Sequence, residues 1–554
     1  MHIYAAKQTI AIPTDLNLTE LLFSSATQQG LPKSHVVAVD TIQDRSLTID
    51  ELRNNAGRLA QGLNSKYSPR DQSRWAILLP NSVNYLEVVH AILWQGGVCC
   101  PVNFQLQALE IAYALSVTKA EFAIVYSKIV PKVLQAFELA KKEFPGFKAP
   151  QVIVALGEAT GFPSLNDFLA AEKLPVKHHG DTRTRLASIN LSSGTTGKPK
   201  GVGLSHYNYV SNVLQMVRHD PRHWNSETSL VSPTPMAHIA QTTCPLYLSP
   251  YTGTKFVLMH AFTGVDNYFE LVAKHKATDI VLMPPLISVL LDSGKAKKYD
   301  VSSVRHIHNI GGMKQEPFDR IQSMQDWKFV NLFGMTEAAG YVAWSKVDQK
   351  CPDPPQVGWL LPNTQARLCD GDGKDVKIGE SGEMWLKAPN MTNGYIDNPS
   401  ANASAFKDGD WYNTGDVCTI STDGLITVVG RTKELFKSSG FQVSPTELEA
   451  YLVSHPDIAE VSVGPTYDKE KATDVATAYV VLKPTVSAKE AKLKSLESIY
   501  DFLEGKVSGY KKLRGGVFEV SGLAKNGTGK ILRNQIADQK TGIVYLPSKP
   551  KAKL

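Results

Sequence analysis

Residues 191–202 read Leu-Ser-Ser-Gly-Thr-Thr-Gly-Lys-Pro-Lys-Gly-Val, a run built for chemistry on anions. Hydroxyls at Ser192, Ser193, Thr195 and Thr196 surround Gly194, and Lys198 and Lys200 follow. Glycine lets the backbone approach a ligand closely and take positive φ. Hydroxyls, free N–H groups and ammoniums are the donors that polyphosphate oxygens accept from. The apolar stretch 186–191 before the run reads as a buried strand, and a helical pattern begins at Ser205. A phosphate-gripping loop after a strand and ahead of a helix is the expected seat of nucleotide chemistry. The spacing does not match Gly-x-x-x-x-Gly-Lys-Ser/Thr, so this is not a P-loop. Taken alone, such a stretch also describes a mobile surface loop.

Seven further segments carry groups suited to one reaction. Thr234-Pro235-Met236-Ala237-His238-Ile239 sets a histidine after a Pro-rich turn, and Asn309-Ile310-Gly311-Gly312-Met313 is a Gly-Gly turn after a strand. Asn331-Leu332-Phe333-Gly334-Met335-Thr336-Glu337 gathers an aromatic face, a hydroxyl and a carboxylate. Tyr412-Asn413-Thr414-Gly415-Asp416 places a carboxylate behind a Gly turn, and Gly430-Arg431 follows at a change in character of the chain. Phe436-Lys437-Ser438-Ser439-Gly440-Phe441-Gln442 comes next. Lys525-Asn526-Gly527-Thr528-Gly529-Lys530 puts a lysine on a Gly-rich loop.

The elements that must position these groups alternate. Short strands are expected at 75–79, 98–102, 122–126 and 152–156, with helical spacing at 81–93, 106–115 and 130–142 between them. The pattern resumes with strands at 255–259 and 279–283, a helix at 265–275, and another helix after Pro284-Pro285. Such alternation argues for βαβ units around parallel sheet. Beyond residue 380 strands dominate, at 382–387 and 424–429, and Ser444-Pro445-Thr446-Glu447 opens a helix with a capping-box pattern.

The bulk numbers exclude several classes. The chain has 554 residues, 43% hydrophobic and 20% charged, enough for large cores in three or four domain-sized units. A net charge of +6 is mild over this length, and no dense basic stripe with interleaved aromatics argues for nucleic acid. Six cysteines (99, 100, 244, 351, 369 and 418) show no Cys-x-x-Cys spacing, which disfavours a structural zinc site and suits reduced thiols inside a cell. No apolar run approaches the ~20 residues of a membrane span, so an integral membrane protein is not expected. His306 and His308 alternate on a strand, but no carboxylate or cysteine sits nearby at ligand spacing, so no metal is expected there. The chain ends Ala552-Lys553-Leu554, close to the Ser-Lys-Leu peroxisomal address, on a lysine-rich tail that looks extended from Thr541. The expected location is therefore the peroxisome, through its import receptor, or otherwise the cytoplasm.

In content, order and spacing these segments resemble the adenylate-forming (AMP-binding) superfamily of acyl-CoA synthetases, adenylation domains and luciferases. The resemblance runs from about residue 20 to 540. Gly440-Phe441-Gln442, and Pro284-Pro285-Leu286 followed by Lys298-Tyr299-Asp300-Val301-Ser302-Ser303-Val304-Arg305, resemble the 4-coumarate-CoA ligase-like branch. It implies an α/β chain with a large N-terminal domain of parallel or mixed sheets flanked by helices, plus a β-rich subdomain. A small mobile α+β C-terminal domain follows. The expected boundaries are 1–430 for the AMP-binding domain, 431–433 for a hinge, 434–540 for a C-terminal lid and 541–554 for a tail.

The resemblance implies an AMP-forming ligase: a carboxylate and Mg-ATP give acyl-AMP and pyrophosphate, and CoA then gives the thioester and AMP. Ser192, Ser193, Gly194, Thr195, Thr196 and Lys200 would hold the β- and γ-phosphates. Glu337 would ligate Mg²⁺, a hard ion that takes oxygen. Thr336 would bond a phosphate oxygen and Phe333 would stack on adenine, with Gly312, Asn331, Gly334 and Met335 completing the nucleotide site. Asp416 would accept the ribose hydroxyls, and Arg431 would donate to ribose or phosphate. Lys530 would bridge carboxylate and α-phosphate, neutralising charge as it builds. Rotation about Lys433 would then withdraw Lys530 and present Ser439 and Gly440 to CoA. Lys437 and Gln442 would support the reaction centre, and His238 would orient the carboxylate.

Departures from the family pattern cluster at the acyl pocket, expected around Ala237, Ala240, Gly311, Met313 and Tyr341. Ala237 and Ala240 stand where plant coumarate ligases have aromatics, and Met313-Lys314 replaces Ala-Pro. A flexible methionine suits an aliphatic or mixed acyl group, so a medium- or long-chain or aryl acid is expected, in fatty acid breakdown or secondary metabolism. Ser439 replaces a common lysine, Asn331 a frequent glutamine and Ala524 a frequent proline. Three alternatives stay open from sequence: an adenylating enzyme that loads a carrier protein, a luciferase-like oxygenase, and a binding protein that has lost catalysis. The last would be expected to lack Lys530, Glu337 or Asp416, and all three are present.

Overall fold

A computed structural model gives the fold. It describes all residues except 1, 25–29, 193–198, 261, 283–297, 311–317, 320, 322–326, 348–355, 433, 435, 439–440, 469–472, 505–506, 508, 526–530, 534–535, 537–539 and 547–554. Three sheets carry the architecture.

The first is seven-stranded. Arg74–Leu78, Val98–Pro101, Phe122–Tyr126 and Gln151–Leu156 run parallel, with helices Val83–Trp94, Ala108–Thr118 and Val130–Glu143 between them. This is the expected βαβ repeat, within a residue or two at most ends. Helix Val83–Trp94 is buried on nearly every side, as an apolar-all-round helix must be. Each of its large side chains contributes about 1.5–3 kcal/mol by leaving water. Ser82 and the Asp40 carboxylate receive its first N–H groups.

Leu186–Ser192 extends this sheet, as expected, but the segment after 193–198 does not lead directly into a helix. Lys200–Ser205 returns antiparallel to Leu186–Ser192, and only then does helix His206–His219 begin, capped by Ser205. The strands on either side of residues 193–198 are thus antiparallel partners. Gly201 and Gly203 disguised this strand. A Cβ on Gly203 would sit 2.7 Å from Ile396 Cδ1, so a larger residue would have to displace that side chain where strand Gly394–Tyr395 packs alongside.

The second sheet is fifteen-stranded and changes character midway. Ser229–Ser232, Lys255–Leu258, Asp279–Leu282, His306–Ile310 and Lys328–Met335 are parallel. From Lys328–Met335 onward the neighbours are antiparallel: Gly340–Trp344, Gln356–Leu360, Leu425–Arg431, Trp411–Ile420 and Gly382–Lys387. The β-rich subdomain is therefore continuous with the parallel sheet, and the strand at the switch carries residues 331–335.

The third sheet belongs to the C-terminal unit: Ile458–Asp468, Thr473–Leu482, Val517–Val520 and Lys540–Tyr545, with helices Pro445–Leu452 and Lys489–Asp501. Residues expected to be a loose tail from Thr541 are a strand paired with Val517–Val520. The capping box at Ser444 is half formed. Ser444 accepts from Glu447 N–H, but the Glu447 carboxylate pairs with Lys511 instead of reaching back. No described helix is long and apolar enough to cross a membrane.

Candidate functional site

The site is organised around Glu337. Strand Lys328–Met335 ends in one 3-10 turn, Thr336–Ala338, and left-handed Ala339 (φ 51°) with Gly340 (φ 128°) sends the chain back as Gly340–Trp344. Gly334 is required at this bulge, because a Cβ there would lie 2.0 Å from the Gly340 carbonyl oxygen. The turn is held by buried amides: Asn390 donates to the Ala338 and Tyr341 carbonyls, and Asn212 donates to the Tyr341 carbonyl at 2.7 Å.

Glu337 is 8% exposed, and its Oε1 accepts from the Tyr395 hydroxyl at 2.9 Å. The Tyr395 and Tyr412 hydroxyls stand 2.9 Å apart. Burial, and next the Glu337 charge, push both phenols well above the usual tyrosine range, so they remain neutral donors. Lys200 Nζ lies 4.8 Å from the Tyr395 ring centroid, an attractive cation–π distance. One aromatic thus ties together the hairpin after 193–198, the Thr336-Glu337 turn and the strand entering Asp416. Tyr395 was not anticipated. Its signal, Asn393-Gly394-Tyr395, resembles an ordinary turn, and only the pairing of Gly394–Tyr395 with Val202 and Gly203 brings it to the carboxylate.

The donor set here fits a hard divalent cation. It is a buried carboxylate with one oxygen oriented by a phenol, with no thiolate or imidazole among the described groups that hold it.

Asp416 and Arg431 are register partners on Trp411–Ile420 and Leu425–Arg431, and Arg431 Nε donates to Asp416 Oδ1 at 2.8 Å. Asp416 is buried, while the arginine side chain is 38% exposed. Gly415 takes φ 69°, and its N–H donates to Asn413 Oδ1, while Asp416 N–H donates to the Thr414 hydroxyl. A buried two-pronged acceptor with a cation on one oxygen is suited to vicinal hydroxyls.

His238 caps the short helix Ile239–Thr243, with its Nδ1 accepting from Ala240 N–H at 3.3 Å. That bond assigns the proton of the neutral ring to Nε2. Burial lowers its pKa, keeping it neutral. Buried Asn81 fixes the segment by accepting from Met236 N–H and donating to the Thr234 and Met259 carbonyls. Tyr341 donates to the Ala240 carbonyl at 2.6 Å, so these two expected pocket residues are in contact, and Ala237 is half-buried next to His238.

Phe333 and Met335 are half-buried against the antiparallel part of the sheet, and Ser192 is buried. Asn331 is 1% exposed, accepts from Asn309 Nδ2 and donates to the Gln356 carbonyl, so its side chain joins neighbouring strands. Ser193, Gly194, Thr195, Thr196, Gly311, Gly312, Met313, Lys433, Ser439, Gly440 and Lys530 lie outside the described residues. For Lys437 and Gln442 the backbone is described: they are register partners in the hairpin Phe436–Ser438 and Phe441–Val443.

The isolation expected of His306 and His308 is incorrect. Asp279, adjacent in the sheet, accepts at one oxygen from His308, and His223 arrives from beyond helix His206–His219. No local spacing encodes this cluster, because three separate segments form it.

Comparison with known proteins identifies the family. The family model described as AMP-binding enzyme matches residues 24–396, and that of the AMP-binding enzyme C-terminal domain matches 447–530. The chain is 28% identical to acyl-CoA ligase AFT1-1 of Alternaria alternata, over 95% of this chain and 94% of that protein. It is also 28% identical to 4-coumarate–CoA ligase-like 3 of Arabidopsis thaliana, over 96% and 94%. Its fold matches the anthranilate CoA ligase AuaEII in complex with anthranoyl-AMP, with a TM-score of 0.82 at 22% identity, covering 95% of this chain and 98% of that one. It likewise matches O-succinylbenzoate coenzyme A synthetase from Bacillus subtilis in complex with ATP and magnesium ion, with a TM-score of 0.76 at 24% identity over 92% and 98%. With a family model covering well over half of its length, the chain belongs to the AMP-binding enzymes.

Proposed function

We propose that this protein is an ATP-dependent carboxylic acid–CoA ligase. The observation that carries the proposal is the linkage of Lys200, Glu337 and Tyr412 through Tyr395, with Tyr412 on the strand that carries Asp416 and its partner Arg431. It joins a phosphate-side cation, a carboxylate for a metal and a ribose-type acceptor.

In the first step a carboxylate oxygen attacks the α-phosphorus of ATP, and the bond to the bridging oxygen breaks to release pyrophosphate. Ser192, Ser193, Thr195, Thr196 and Lys200 hold the leaving phosphates, and Asp416 and Arg431 hold the ribose. Glu337 would hold Mg²⁺, which neutralises phosphate charge when bound. Lys530 bridges the two reacting groups and is the main source of alignment. His238, neutral with its proton on Nε2, donates toward the carboxylate. In the second step the CoA thiol, losing its proton, attacks the acyl carbon, and AMP leaves. Turning of the C-terminal unit about Lys433 exchanges Lys530 for Ser439 and Gly440.

The two alanines beside His238 leave room for a medium- or long-chain or aryl acid. The Ala552-Lys553-Leu554 terminus supports delivery to the peroxisome. A pyrophosphate-release screen over carboxylic acids of graded length and aromaticity, with and without CoA, tests the proposal. The expected result is acid-dependent pyrophosphate release, with thioester formed only when free CoA is added. Thioester formation on a carrier protein but not on CoA would overturn it.

A further inference from the structure

Beneath the parallel half of the large sheet, away from Glu337, three side chains converge on a point. His223 Nε2 and His308 Nε2 lie 2.7 and 2.9 Å from Asp279 Oδ1, and 3.1 Å from each other. All three side chains are at most 4% exposed. His306 Nδ1 lies 3.2 Å from the same oxygen. Asp279 begins its strand, whereas Met335 ends the strand Lys328–Met335 and Glu337 lies just beyond it, so the cluster is separate from the candidate nucleotide site.

We infer that His223, Asp279 and His308 form a buried structural site for a zinc-class divalent cation. Zinc held at about 2.0–2.1 Å by tetrahedral ligands sets neighbouring donor atoms about 3.3 Å apart. The three edges here fall a few tenths of an ångström short of that, so a small outward shift admits the ion. Hydrogen bonding satisfies the arrangement poorly. Two imidazole Nε2 atoms 3.1 Å apart both aim at one carboxylate oxygen. A cation shared by both lone pairs and the carboxylate removes that crowding.

Two imidazoles with one carboxylate select a borderline transition ion over Mg²⁺ or Ca²⁺, which take oxygen. Trp224 stacks on His223 at 4.5 Å, and Trp344 approaches both His223 and His308 edge-on, so an aromatic wall closes the site. Such closure suits a structural ion that ties the segment after helix His206–His219 to the sheet.

The test uses the full chain dialysed against chelator, then given Zn²⁺ alone or Co²⁺ alone. The expected results are about one zinc retained per chain, an intense visible Co²⁺ band of tetrahedral type, quenching of tryptophan fluorescence by Co²⁺, and a higher thermal midpoint with Zn²⁺. His308→Gln and His223→Gln should each weaken zinc binding by more than about 100-fold. Absence of the Co²⁺ band with no zinc retained would overturn the inference, as would a folded His308→Gln that binds zinc like the wild type. Should neither variant fold, the zinc-edge X-ray absorption spectrum of the wild-type protein decides. Imidazole and carboxylate coordination supports the site, and thiolate sulfur overturns it.

Discussion

Replacing Tyr395 by Phe removes one hydroxyl and leaves the ring under Lys200 in place. That hydroxyl donates to Glu337 Oε1 at 2.9 Å and meets the Tyr412 hydroxyl at 2.9 Å. A hydrogen bond to a charged, buried group is worth about 1.5–3 kcal/mol. Tyr412 remains beside the same carboxylate and can move in, which puts the expected loss at the lower end. A loss of 1.5–2.5 kcal/mol corresponds to a roughly 10- to 70-fold fall in kcat/KM for ATP. If Glu337 holds the magnesium ion, the Mg²⁺ concentration giving half-maximal rate should rise as well, because the loosened carboxylate binds the ion less well. The assay is continuous pyrophosphate release at saturating acid, titrated separately in ATP and Mg²⁺. Tyr412→Phe should cost less, and the double variant should lose less than the sum, since the two hydroxyls share one contact. A Tyr395→Phe enzyme within about twofold of wild type, with unchanged Mg²⁺ dependence, would refute the organising role given to this phenol.

Gly334→Ala places a Cβ 2.0 Å from the Gly340 carbonyl oxygen; the bulge must shift, and denaturant melts should show a loss of at least about 2 kcal/mol. Asp416→Asn keeps the shape but leaves Arg431 without its carboxylate and weakens acceptance from ribose; KM for ATP should rise about tenfold or more, with a smaller change for the acid. Lys530→Ala should lower adenylation by more than about 100-fold while leaving thioester formation from supplied acyl-AMP largely intact, and equal loss in both half-reactions would contradict its role. Burial depresses His90 and His219 to about 4 and His206 to about 3. Unfolded, each binds a proton near pH 6.5, so the unfolded state holds more protons below that pH. Their stabilisation is complete above pH 6.5 and falls as pH drops toward 4, by up to about 1.4 kcal/mol per pH unit for each ring; His90→Gln should flatten the pH dependence of the denaturant midpoint by about that slope.

The alternation of strands and helices through residue 156 was legible because each element buries one continuous apolar stretch. The motif order from Ser192 to Asp416 was legible for a different reason: each motif couples a special backbone position to a polar side chain, as Gly415 does with Asp416. What escaped sequence reasoning depends on partners far along the chain. Strand Lys200–Ser205 was hidden because Gly201 and Gly203 look like turn residues, yet they are small to admit Val117 and Ile396. Tyr395 gains its role only by pairing with Val202, 193 residues away, and bonding Glu337, 58 residues away. The cluster of His223, Asp279 and His308 has no sequence spacing at all, since parallel strands bring Asp279 and His308 together and His223 reaches them from the segment after helix His206–His219. The bond between Asn331 and its register partner Asn309 was hidden for the same reason, since it joins neighbouring strands.

The central claim is that the carboxylate of the acid bonds to the α-phosphorus of ATP before CoA enters. A carboxylic acid labelled with heavy oxygen in both carboxyl positions, turned over to thioester with unlabelled ATP, tests it directly by mass spectrometry of the nucleotide product. The account predicts AMP carrying one labelled oxygen and unlabelled pyrophosphate. Label in inorganic phosphate with ADP as product, or unlabelled AMP, would contradict it.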